Sequence, residues 1–192
     1  VNDNTPSFSW TASTDNWAVQ GYYVNITGYT TYYIGNVTSW ESPDIIADCN
    51  HTFNVWATDG PNNSTVASLE FTIDTTAPTV IILMPTTATP IYTKTPATIY
   101  VAYNYTDLHP KNATIKIYNA TQTIGERTIT PLAAGTNIFR NDSVAIAAAA
   151  DGAYNVNVTI YDVGGQSATD TETNAVIVDN TPPVVNINYP LE

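Results

Sequence analysis

Ten of the twenty asparagines in this chain stand in the pattern Asn-X-Ser/Thr with X other than proline: Asn25, Asn36, Asn50, Asn62, Asn63, Asn104, Asn112, Asn119, Asn141 and Asn157. Serine and threonine make up 41 of the 192 residues, so composition alone would produce about four such sites. Eight of the ten end in threonine. The chemistry of the pattern is N-linked glycan transfer, which needs an exposed carboxamide on a secreted chain. Covalent N-glycans are therefore expected here, on an extracellular or cell-surface protein. Asn62 and Asn63 are adjacent, so two glycans would collide and only one of the pair is expected to carry sugar.

Other reactive groups are sparse. There are two histidines, His51 and His109, and no nucleophile elbow, His-Glu-x-x-His pair or phosphate-binding glycine loop. Asp170 and Glu172 form an acid pair, but carboxylates without an apolar cleft are ordinarily solvated. No catalytic residue is assigned and no enzyme is expected. Calcium is the metal to weigh, since a hard cation takes carboxylate and carbonyl oxygens. The opening VNDNTPSF resembles the calcium linker of cadherins, as does ATDGP at 57–61. The acidic ligand motifs of that family are absent, and Ile46-Ala47-Asp48 stands where they belong. Asp59, Asp74 and Asp162 read equally as turn caps. Calcium is thus possible but unsupported, and no metal ligand is assigned. Cys49 is the single cysteine, which excludes a disulfide within these residues; it reads first as a small buried hydrophobe and second as a thiol that pairs between molecules.

The elements that must position these asparagines are strands. Thirty-two threonines and thirteen tyrosines suit a pleated surface, and five leucines with one methionine leave little for amphipathic helices. The apolar fraction of 43% is enough for packed cores. Five basic residues stand against 17 acidic ones, for a net charge of −12, and residues 1–75 contain no lysine or arginine. Such a surface repels phosphate backbones and anionic headgroups, so neither nucleic acid nor a membrane is expected as partner. No apolar run approaches the eighteen residues of a spanning helix. The first residues read as a linker, so the chain is expected to be a mature or excised segment of something longer.

A repeat organises the chain. Residues 71–85, FTIDTTAPTVIILMP, match 176–190, VIVDNTPPVVNINYP, at an offset of 105, and NDNTPSFSW at the start is a weaker third copy. Upstream of each junction, His51–Asp59 matches Tyr154–Asp162 at an offset of 103, and a polar turn follows in both places, DGPNNS and DVGGQS. Proline removes a backbone donor and fixes φ, so each junction ends one sheet and stiffens the passage to the next. The expected domains are 1–75 and 76–178. Residues 179–192 are a linker plus the first strand of a following domain, Val184–Tyr189, or a strand donated to a neighbouring chain.

The pattern P-x-F-x-W, GYYVNI, x-F-x-V-x-A-x-D-G and D-T-T-A-P resembles the fibronectin type III-like domains of prokaryotic surface proteins. The second half resembles the related immunoglobulin-like repeats of bacterial and archaeal envelope proteins. The resemblance spans nearly the whole chain through core positions. It implies two tandem all-β sandwiches in a rod, with a tyrosine corner in the penultimate strand. Tyr154 takes that place in the second domain. His51 takes it in the first, a departure from the pattern that reads as a core-edge histidine and not as a ligand or catalyst.

Strand alternation then sorts the asparagines. The inward sets Tyr22/Val24/Ile26, Ile99/Val101/Tyr103 and Tyr154/Val156/Val158/Ile160 place Asn25, Asn104 and Asn157 outside. Asn112 has outward parity before the strand of Ile115 and Ile117. Asn36, Asn62 and Asn63 fall in turns, and Asn141 precedes the strand of Val144 and Ile146. Asn119 shares parity with Ile117 and is expected to leave the strand. Tyr22, Tyr23, Tyr29, Tyr32 and Tyr33 cluster with Trp17, Trp40 and Trp56, and Tyr23 and Trp56 have outward parity, which reads either as an exposed aromatic patch or as rings lying under loops or the protein's own glycans. The expected role is a structural, glycosylated repeat unit of a surface layer, stalk or filament that self-associates or continues covalently into further repeats. The alternatives are a carbohydrate- or receptor-binding adhesin module and, third, an accessory module of a secreted hydrolase.

Overall fold

Period-two alternation over most of the sequence leaves each segment with one apolar and one polar face, which favours strands stacked face to face. The computed structural model describes residues 1–187, and every regular element among them is a strand. Two compact units form, one comprising Val1–Ala77 and Asp162–Gln166, the other Pro78–Tyr161 and the chain from Ser167 onward.

The first unit contains β1 (Ser7–Ser9), β2 (Gly21–Ile26), β3 (Tyr32–Tyr33), β4 (Ser39–Glu41), β5 (Cys49–Thr58) and β6 (Ala67–Ile73). β1 and β4 form a two-stranded sheet, and the other four form a sheet in the order β3-β2-β5-β6. Tyr22, Val24 and Ile26 from β2 and Phe53, Val55 and Ala57 from β5 are buried between the layers. The short sheet covers them with aromatic rings: Phe8 stacks on Phe53 at 4.0 Å between centroids, and Trp40 lies 6.0 Å from the same ring. Each fully buried aliphatic side chain of this kind contributes roughly 1.5–3 kcal/mol.

The second unit is a larger version of the same plan. It contains β7 (Thr79–Met84), β8 (Ile91–Thr93), β9 (Ala97–Asp107), β10 (Pro110–Tyr118), β11 (Thr123–Ile129), β12 (Gly135–Ile146), β13 (Gly152–Asp162) and β14 (Ser167–Val178). A three-stranded sheet, β12-β9-β7, faces a five-stranded sheet, β11-β10-β13-β14-β8, in which β8 runs parallel to β14. Ile99, Val101, Tyr103, Ile115, Ile117, Val156, Val158 and Ile160 fill the core between the sheets. The chain is therefore all-β, with two sandwiches of the immunoglobulin-like, fibronectin type III-like kind.

Register explains why the repeat offset grows from 103 to 105. β5 and β6 pair without interruption from Cys49↔Ile73 to Val55↔Ala67, whereas β13 and β14 slip between Tyr154 and Val156. The extra residues sit in a bulge where Asn174 adopts φ 52° and its N–H donates to Asn155 Oδ1 at 3.0 Å. Both hairpin turns need a left-handed residue, supplied by Gly60 at φ 101° and Gly165 at φ 93°.

The expected boundary at 75/76 lies between β6 and β7. Residues 179–187 form no strand, and Tyr189 of the expected strand Val184–Tyr189 lies outside the described residues.

Candidate glycan-acceptor surfaces and corner latches

None of the ten sequon asparagines is buried. Asn36, Asn50, Asn62, Asn63 and Asn141 are exposed, and Asn25, Asn104, Asn112, Asn119 and Asn157 are half-buried. Asn25 and Asn50 lie on β2 and β5, Asn112 and Asn157 on β10 and β13, and Asn104 and Asn141 on β9 and β12. Asn119 follows the end of β10, as its parity required. Asn112 and Asn141 fall inside strands and not before them, because β10 begins at Pro110 and β12 pairs with β9 from Gly135 onward.

The amides differ in what they already hold. Nδ2 donates to Thr31 Oγ1 at 3.1 Å from Asn25, to the Val19 carbonyl at 3.2 Å from Asn36, to Asp59 Oδ2 at 3.1 Å from Asn62, and to Thr171 Oγ1 at 3.0 Å from Asn157. Each of those nitrogens carries a second N–H that sugar can replace, so the bond can survive glycosylation. Asn119 is arranged differently: its Oδ1 accepts the Thr121 N–H at 3.0 Å and the Thr121 hydroxyl at 2.9 Å, which draws the two ends of the sequon together.

The aromatic cluster divides by strand parity. Tyr22 belongs to the core, and Tyr29, Tyr32 and Trp40 pack against it. Tyr23, Tyr33 and Trp56 form a patch on the outer face of β3-β2-β5, where Tyr23 stacks on Trp56 at 5.6 Å and tilts against Tyr33 at 5.1 Å. Asn25 lies two residues along the same face. Trp17 stands apart at 90% exposure.

At the corner before each penultimate strand the two units match closely. The buried Tyr154 hydroxyl donates to the Ala150 carbonyl, four residues upstream, at 3.0 Å, and accepts from Gln122 Nε2 at 2.9 Å. In the first unit His51 Nε2 lies 2.8 Å from the Ala47 carbonyl, also four residues upstream. A carbonyl only accepts, so the proton sits on Nε2 and the imidazole serves as the corner donor. Cys49 Sγ lies 3.1 Å from that nitrogen. Contrary to expectation, Cys49 is exposed: it sits at the start of β5, before the chain turns under the short sheet.

A second match was not anticipated. Asp48 accepts the Thr75 N–H at 3.1 Å, the Thr75 hydroxyl at 2.8 Å and the Thr76 hydroxyl at 2.8 Å. Asp151 accepts the Asn180 N–H at 2.7 Å, Asn180 Nδ2 at 2.9 Å and the Thr181 hydroxyl at 2.6 Å. These bonds, the Thr181 hydroxyl foremost, hold the Asp151 carboxyl below its ordinary range. Each corner aspartate thus latches the junction that follows its own sandwich. Asp48 and Asp151 share the 103-residue offset, which was the available signal.

One further reading changes. Asp170 and Glu172 are not free solvated acids: they accept the Ile82 N–H at 2.6 Å and the Thr87 N–H at 2.8 Å, tying β7 and the residues after it to β14. Asp59 and Asp162 do cap turns, accepting the Asn62 and Gln166 N–H groups, each at 2.7 Å. The inner face of β12 also carries an unforeseen ion pair. Arg140 donates Nε and Nη2 to Asp142 Oδ2 and Oδ1, both at 2.8 Å, and the Tyr103 hydroxyl donates to Asp142 Oδ2 at 3.0 Å. The Arg140 bonds hold the Asp142 carboxyl below its ordinary range, and burial pushes the Tyr103 hydroxyl up, with the Asp142 charge adding to it. Among the described residues, no group of three or more His, Cys, Asp or Glu side chains is placed to hold a metal ion.

No protein-family model matches the chain, and no curated protein matches it. Solved structures do. The chain is similar to fibronectin(III)-like modules of Clostridium thermocellum CbhA, with 13% identity, TM-score 0.43, and coverage of 90% of this chain and 84% of that one. It is also similar to a tetra-tandem repeat in the extending region of a large adhesion protein, with 19% identity, TM-score 0.43, and coverage of 83% and 42%. Dimeric latent PorU from Porphyromonas gingivalis aligns at 14% identity and TM-score 0.34, over 86% of this chain and 17% of that one. The fold assignment rests on the chain's own strand order: two tandem β-sandwiches of the fibronectin type III-like and immunoglobulin-like kind.

Proposed function

We propose that this chain is a structural module of an extracellular surface layer, stalk or filament, coated with N-linked glycans and without a catalytic role. The observation that carries this reading is the distribution of ten acceptor asparagines, none of them buried, over turns and strands of both units. Sugar supplies the solubility that 11% charged residues provide only sparingly. The net charge of −12 disfavours nucleic acids and anionic membranes as partners. Glycopeptide mass spectrometry of the native protein tests the reading: most sites should carry a glycan mass that a glycosidase removes. Unmodified asparagine at most sites would reject it.

A second reading is favoured by the stacked outer patch of Tyr23, Tyr33 and Trp56. Aromatic faces of this kind bind sugar rings or partner proteins, which would make the first unit an adhesin module. A glycan array probed with the chain and with Trp56→Ala decides it: signal lost in the variant favours adhesion, and no binding by either favours the structural role.

A further inference from the structure

The two sandwiches share one plan but differ along one edge. In the second unit β7 lies antiparallel on the free edge of β9, with Ile82 buried and Val80 packed against the core. Asp170 and Glu172 of β14 grip that strand and the residues after it. In the first unit β1 pairs with β4 as β9 pairs with β12, yet among the described residues no strand covers the other edge of β1. Register identifies the facing positions on the opposite sheet. Phe53 opposes Leu69 and Val55 opposes Ala67, just as Val156 opposes Glu172 and Val158 opposes Asp170. Leu69 and Ala67 therefore hold the places from which the two carboxylates grip β7. Between them and β1 lies a cleft of about 360 Å³, lined by Phe8, Trp10, Phe53, Val55, Ala67 and Leu69 among others. Leu69 is 56% exposed, although it shares the inner face of its sheet with the buried Phe53.

The chain also carries an unplaced copy of the strand that fills this position. Residues 182–187, PPVVNI, repeat 77–82, APTVII, at the 105-residue offset, so Val185 corresponds to Val80 and Ile187 to Ile82. Val184, Val185 and Ile187 are 83%, 85% and 88% exposed and belong to no strand. The geometry points to residues 182–187 of a second copy of this chain as the occupant of the β1–β6 cleft. The segment adds antiparallel to β1 and turns Val185 and Ile187 onto Phe8, Phe53 and Leu69, while Val184, like the exposed Thr79, faces solvent. Donor and acceptor are different segments of the chain, so the contact is heterologous. The inference deepens the structural-module reading by naming the partner, and its test is independent of the glycans that test that reading.

Sedimentation velocity on the full chain, over about two decades of concentration, reads the association directly. Reversible self-association is expected. Val185→Asp and Ile187→Asp should each weaken it about tenfold or more, because a carboxylate cannot be buried unpaired, whereas Val184→Asp should leave it unchanged. Leu69→Arg should weaken it from the acceptor side, and circular dichroism checks that this variant folds; the tail variants lie outside both cores and decide the matter without it. A chain that stays monomeric throughout, its cleft open or filled by some other segment, overturns the inference. So does equal weakening by Val184→Asp and Val185→Asp, which would mean apolar stickiness without strand register.

Discussion

Removing a single oxygen, in Tyr154→Phe, isolates the energetic worth of the corner. The ring stays in the core, so no cavity opens, and only two hydrogen bonds are lost: the one given to the Ala150 carbonyl and the one received from Gln122 Nε2. Neutral hydrogen bonds contribute roughly 0.5–1.5 kcal/mol each, so the substitution should cost about 2 kcal/mol. For a unit of this size that corresponds to a melting temperature roughly 10 °C lower. The assay is helped by the placing of the four tryptophans, Trp10, Trp17, Trp40 and Trp56, all in the first unit. Tryptophan fluorescence therefore follows the first unit, while calorimetry follows both. The calorimetric transition of the second unit should fall and the fluorescence midpoint should not. A second-unit midpoint within about 2 °C of wild type would refute the argument, since it would assign the corner hydroxyl no net worth.

Three further outcomes are expected. His51→Phe should lower the fluorescence midpoint by roughly 4–8 °C without moving the second unit, because it removes one hydrogen bond, the imidazole donor to the Ala47 carbonyl. Acidification should destabilise the second unit: Asp142 and Asp151 have carboxyls depressed by folding, so their stabilisation is complete above the unfolded value of about 3.9 and is lost as pH falls through their folded values. Calorimetry from neutral to strongly acid pH should show this loss, and Asp142→Asn should reduce it while costing about 2–4 kcal/mol at neutral pH, since Arg140 loses its bidentate partner. Asp48→Ala should raise amide exchange at Thr75 well before it affects β5 or β6.

Alternation carried most of the fold in the primary structure. The inward sets of β2, β9 and β13 are buried as their parity requires, because a strand with one apolar face has one favourable way to pack. Tyr154 was legible as a corner donor; that an imidazole could serve in its place was not, because ring size and donor reach had to be seen together at Ala47. The Arg140–Asp142 pair escaped notice because charged residues are assumed to face water, though Arg140 and Asp142 share parity with Val144 and Ile146. Asp170 and Glu172 were misread for a related reason: their partners are backbone groups some 85–88 residues away in sequence, which no local spacing reveals. The exposure of Cys49 depends on where β5 begins relative to its cover, and strand ends are set by tertiary contacts.

The corner aspartates bear on how such modules are copied and moved. Each latch has its acceptor in the corner and its donors 27–30 residues later, beyond the last strand. A cut at Ile73 or Val178, where the sheets end, would strand the carboxylate in one fragment and its threonine in the other. The heritable unit therefore closes past Thr76 or Thr181, in the stretch that looks like a spacer. That stretch is then as much a part of the module's grammar as any strand, and a graft that honours it carries its own punctuation into a new host.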